Sequence, residues 1–205
     1  MIKKDFYLTT LLIIFSGIMC GCIGGTSQKS VYYVFNPVKA PLTADSPMAS
    51  KGLGVGPINL PEFLDGSQIV TRQGENLLNI NEFHRWADSL KAQITVTLVD
   101  NLSALLNTPN VVVLPWERPF IPEYQLYIDF RRFEGKTAGS ITLEAVWSIV
   151  DTNDSKRLLT KKTSLVESTH GEGFKAYVSA MNLALEKLSQ EIADGVVGVL
   201  PNNKT

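Results

Sequence analysis

Tyr124-Gln125-Leu126-Tyr127-Ile128-Asp129-Phe130-Arg131-Arg132-Phe133 and Ile141-Thr142-Leu143-Glu144-Ala145-Val146-Trp147-Ser148-Ile149-Val150 both repeat with period two. In the first, Tyr124, Leu126, Ile128 and Phe130 share one face. In the second, Ile141, Leu143, Ala145, Trp147 and Ile149 do. Asp129, Arg131, Thr142, Glu144 and Ser148 fall on the opposite faces, the pattern of strands with one side on a core and one in water. Gly135–Gly139 and Asp151–Ser155 are turn-forming, and Leu158–Glu167 reads as a third strand. The segment is predicted to be an antiparallel meander.

Downstream the period changes. Phe174, Tyr177, Val178, Met181, Leu185, Leu188, Ile192, Val196 and Val199 recur at three- and four-residue steps, one face of a long helix. Upstream, Val31–Phe35 and Leu53–Pro61 read as strands, and Pro57 and Pro61 predict that the second lies at a sheet edge or ends in a bend. Ile69–Arg72 and Leu77–Ile80 flank Gln73-Gly74-Glu75-Asn76, a hairpin. Phe83, Trp86, Leu90, Ile94, Leu98, Leu102 and Leu105 predict another helix, with Asn81 or Asp88 as its cap. Val111–Leu114 is continuous and apolar, suited to a strand buried on both faces. The expected fold is therefore α/β in a single domain, a mixed sheet ending in the meander, with two long helices packed on it.

Composition excludes several functions. A formal net charge of −1 among 205 residues lacks the basic excess of a dedicated nucleic-acid binder. Both cysteines, Cys20 and Cys22, lie at the N-terminus, so no disulfide scaffold is implied. His84 and His170 are the two histidines, read as a surface or capping residue and a loop residue; with scattered carboxylates they make a poor metal set. Gly54-Val55-Gly56-Pro57 lacks the third glycine of a dinucleotide fingerprint, and GxSxG, P-loop and HExxH patterns are missing. Asp129 and Glu144 read as cross-strand charge partners rather than an acid–base pair. Of Trp86, Trp116 and Trp147, Trp147 reads as core and Trp116 as the better exposed contact. No catalytic residue, metal or cofactor is expected.

The chemistry lies at the start. Lys3 and Lys4 precede an apolar run from Phe6 to Met19, a secretory layout shorter than the ~20 residues of a membrane span. Met19-Cys20-Gly21-Cys22 follows and resembles a lipobox, with Gly21 before the cysteine that is acylated, palmitate-type chains being expected. Met19 and Cys20 depart from its commonest form. An uncleaved anchoring helix and a plain secretory signal are the alternatives. The chain thus divides into a signal at 1–21, a lipidated tether at 22–30, a body at 31–200 and a tail at 201–205. The glycine- and serine-bearing tether lets the body wander about 15 Å from the bilayer. Ile23, where inner-membrane lipoproteins often carry Asp, favours the outer membrane and a body facing the periplasm.

Taken with Tyr32-Tyr33-Val34, Leu53–Pro61, Phe63-Leu64-Asp65, Gln68–Arg72, Asn81–Leu90, Asn101-Leu102, Phe133-Glu134-Gly135 and Leu143–Trp147, the sequence resembles the ABC-type transport auxiliary lipoproteins, a PqiC-like family. The resemblance implies a non-enzymatic lipoprotein that works with an MCE-domain protein in moving lipids between inner and outer membranes. It also implies a fold like the N-terminal domain of TolB. Expected partners are the bilayer, through Cys22, and the MCE protein; a homo-oligomer is left open, and the partner-binding surface is unassigned. The alternative function is a periplasmic carrier that holds an acyl chain in its own pocket.

Overall fold

The computed structural model describes residues 27–39, 48, 51–116 and 119–200. The signal at 1–21, Cys22 and the tail at 201–205 lie outside the described residues.

Among the described residues, eight strands and two α-helices follow one another as β1 (Val31–Tyr33), β2 (Leu53–Asn59), β3 (Gln68–Arg72), β4 (Leu78–Trp86), α1 (Leu90–Leu105), β5 (Val111–Val113), β6 (Tyr124–Gly135), β7 (Ser140–Asp151), β8 (Lys156–Ser168) and α2 (Gly173–Val199). The α/β class, the meander β6–β7–β8, the β3–β4 hairpin and the second helix are as the sequence predicts, and the first helix is present but shorter. The strands, however, form two sheets rather than one: β1-β4-β3 and β5-β2-β6-β7-β8. β2 runs parallel to both β5 and β6, and β1 parallel to β4.

Two expectations are corrected. The first helix begins at Leu90, not near Phe83. Ser89 is its N-cap, with Oγ accepting from Ala92 N at 3.2 Å. Phe83 and Trp86 belong to β4, because the backbone there is committed to sheet pairing: Trp86 N donates to Ser67 O and Ala87 N to Tyr33 O. The three-residue step from Phe83 to Trp86 mimics a helical period, and long-range pairing overrides it. β5 is not buried on both faces; it is a three-residue edge strand whose Val113 is 40% exposed. β2 is flanked by β5 and β6 over Leu53–Val55, whereas Ile58 and Asn59 pair with β6 alone, so the end that carries Pro57 is an open edge, as its prolines predict. The strand also bends, with the register slipping between Val55 and Ile58 where Gly56 takes φ +122°, a conformation glycine alone adopts readily.

The core lies between the inner face of the larger sheet and the two helices. Leu126, Ile128, Phe130, Leu143, Ala145, Trp147 and Ile149 meet Tyr177, Met181, Leu185, Leu188, Ile192 and Val196, all at most 1% exposed. Each such aliphatic or aromatic side chain contributes about 1.5–3 kcal/mol on burial. Trp147 also fixes the meander to α2 through hydrogen bonds: Nε1 donates to Thr163 Oγ1 at 3.0 Å, and that hydroxyl donates to Glu191 Oε2 at 2.7 Å. Gly195 lets α2 approach the indole. A Cβ there would lie 2.7 Å from Trp147 Cη2 and 3.0 Å from Leu159 Cδ2. Gly195→Ala is thus expected to destabilise by about 1–3 kcal/mol, reversing the ~1 kcal/mol gain that alanine normally brings to a helix interior. Urea denaturation reads the sign directly.

Candidate functional site

The meander carries a phase slip that builds the most heavily bonded polar site among the described residues. Phe130 pairs with Ala145, yet Arg132 pairs with Glu144, so Arg131 is an extra residue in β6. Alternation restarts after it, which returns Phe133 to the core face with Phe130 and puts Glu134, opposite Thr142, on the other face, where its side chain is fully buried beside Arg72 of β3. A buried carboxylate needs partners, and Glu134 has them. Its Oε1 accepts from Arg72 Nε and Nη2 at 3.0 and 2.8 Å and from Arg132 Nε and Nη2, both at 3.2 Å. Its Oε2 accepts from Phe133 N at 3.1 Å. Arg72 comes from β3, so this pair joins the two sheets.

Tyr177 stands beside the node. Its hydroxyl donates to Val70 O at 2.9 Å and accepts from Gly135 N at 3.1 Å, tying α2 to β3 and β6. Burial pushes its pKa well above the usual phenol value. Unfolded tyrosines release their proton near pH ~10; above that the unfolded chain holds fewer protons than the folded one, so stability falls as pH rises. Tyr177→Phe is expected to cost about 1–3 kcal/mol at pH 7 by orphaning Val70 O and Gly135 N. It also makes the alkaline decline shallower, by about 1.4 kcal/mol per pH unit. Urea titrations at neutral pH and above pH ~10 measure both.

The residues singled out in the sequence are dispersed. His84 is half-buried, stacked on Phe174 with centroids 3.9 Å apart, its Nδ1 2.9 Å from the Tyr33 hydroxyl. His170 is exposed in the loop before α2. Asp129 pairs with Arg131 of its own strand at 2.8 Å, while Glu144 reaches Arg132 across the ladder at 4.0 Å, so the two carboxylates serve different arginines. Trp86 is core, at 1% exposed, as Trp147 is. Trp116 is half-buried, its ring over Gly54, where a Cβ would meet Cζ3 at 2.7 Å. It borders a groove of about 750 Å³ on the outer face of the larger sheet, with Ile121, Tyr127, Val150 and Arg157. Sequence reasoning missed the Glu134 node. Its one local signal was the Arg131-Arg132 pair interrupting the alternation.

The residues between Tyr33 and α2 match, as one block, a family model described as the ABC-type transport auxiliary lipoprotein component, over 33–193. The chain belongs to that family. The structure agrees: protein XCC0632 from Xanthomonas campestris superposes with a TM-score of 0.70 at 18% identity, covering 83% of this chain and 96% of that one. A second crystal structure, of an uncharacterized protein, gives a TM-score of 0.66 at 22% identity, covering 83% and 99%. At these identities the likeness concerns the fold. No curated protein proved similar to the sequence. The auxiliary-lipoprotein match spans both sheets and both helices, so the Glu134 node, the Trp147 anchor and the groove all lie within the family domain.

Proposed function

We propose that this auxiliary lipoprotein is a non-enzymatic component of an MCE-type ABC system that moves lipids between the inner and outer membranes. Acylated Cys22 holds it to the outer membrane, with residues 31–200 in the periplasm as the docking body. The family match over 33–193 carries the reading. The lipobox-like Met19–Cys22 supports the anchor. The polar groups gathered at Glu134 bond one another and hold two sheets together, which suits a scaffold.

The carrier alternative asks for an apolar pocket, and the observations favour the dock. The space between helices and sheet is filled by Phe130, Trp147, Tyr177 and Leu188, none more than 1% exposed. The 750 Å³ groove is open to the surface and mixes Gln125, Thr152, Ser155 and Arg157 with its apolar residues.

Feeding cells an alkynyl palmitate and separating their membranes on a density gradient tests the anchor. Label on the protein in the outer-membrane fraction is the expected result; unlabelled protein, or label confined to the inner membrane, contradicts the reading. Native mass spectrometry of the full-length protein in detergent separates dock from carrier, because a carrier retains lipid beyond the covalent chains.

A further inference from the structure

The segment leading into the body has two faces. Tyr33 and Phe35 point inward, Tyr33 against His84 and Phe174, and Phe35 against Trp86 and Phe133. Tyr32 and Val34 point the other way and are 63% and 50% exposed. Val31, at the start of the strand, is also exposed. Lys29 and Lys39 are exposed at either end of this apolar strip. Tyr32 pairs in register with Arg85 of β4, whose half-buried guanidinium donates to Ser67 Oγ. The helices pack on the larger sheet and on the inner side of the small one, and neither is seated on this outer face.

Chain length limits what can cover the strip. Val31 follows Cys22 by nine residues, which reach at most about 30 Å when fully extended. Amphipathic elements rich in cations and aromatics lie in the headgroup region with their apolar side chains about 5–10 Å deep. Anionic headgroups attract nearby Lys and Arg. We propose that Tyr32 and Val34, flanked by Lys29 and Lys39, rest on the phospholipid surface that holds acylated Cys22, and so fix which side of the body faces the membrane. The proposal rests on the anchor reading and adds an orientation to it.

Site-specific quenching tests it on full-length acylated protein. With Cys20 removed in the signal and Cys22 blocked by acylation, Tyr32→Cys, Val34→Cys and Asn153→Cys each offer one thiol for an environment-sensitive fluorophore. Asn153 lies in the β7–β8 turn, the far end of the meander from α2's first residues, which contact β1. The protein is reconstituted in vesicles of phosphatidylethanolamine and phosphatidylglycerol at about three to one, with nitroxide-labelled lipid. Quenching about two-fold or more stronger at positions 32 and 34 than at 153 is expected, given a depth of ~5–10 Å. Equal quenching at all three positions, or none at 32 and 34, overturns the proposal and leaves the strip to a protein occupant. Intact mass of the same samples separates the two failures: an acylated Cys22 with unquenched probes sinks the orientation alone, whereas a bare Cys22 sinks the anchor and the orientation together.

Discussion

Glu134→Ala is expected to lower the stability of the body by about 3–5 kcal/mol, the cost of breaking a buried ion pair from one side. The side chain accepts from two arginines and from the Phe133 amide, so its loss orphans donors on β3 and β6 at once. Arg72 and Arg132 are partly exposed, at 22% and 38%, and recover some hydration, which favours the lower end of that range. Glu134→Gln keeps the shape and one acceptor oxygen but loses the charge, and is expected to fall between wild type and alanine. Because Arg72 is the link from β3, the variant should also raise amide exchange in β3 and β4 more than in β7 and β8. Urea denaturation with hydrogen exchange measures both effects. A uniform rise in exchange would mean that the node stabilises the whole domain without joining the sheets.

Cys22→Ala is expected to move the protein wholly from the membrane pellet to the soluble periplasmic fraction. Each buried acyl CH₂ contributes about 0.8 kcal/mol, and stable attachment takes more than one chain. Removing the acceptor sulfur removes every chain together, and the described surface offers no replacement: no described helix is long and apolar enough to cross a membrane. Thermal unfolding should be unchanged, since Cys22 precedes β1 by nine residues. The variant also separates the alternatives for the N-terminus. An uncleaved anchoring helix would keep it in the pellet, and a plain secretory signal would already leave the wild type soluble.

Those two positions mark the limits of what the amino-acid order reveals. The meander was legible because Tyr124–Phe130 and Ile141–Ile149 alternate strictly and their partners are adjacent in the chain. α2 was legible because its apolar residues keep helical spacing over its whole length. Parallel pairings such as Val31 with His84 and Leu53 with Tyr124 join segments more than fifty residues apart, and nothing local announces them. That is why two sheets read as one. Phe83 and Trp86 misled because a three-residue step fits a helix while their backbone serves a strand. Glu134 stayed hidden because an extra residue in β6 reverses which side chains face inward, and a strict alternation places it wrongly. The lipobox-like Met19–Cys22 has the opposite character, a short pattern read from the sequence whatever the fold.

The most direct test of the account is affinity capture of the full-length, C-terminally tagged protein from detergent-solubilised cells, with bound proteins identified by mass spectrometry. The account predicts that an MCE-domain transport protein is recovered with the acylated chain. Recovery of the acylated protein in good yield without any MCE-domain protein would contradict it.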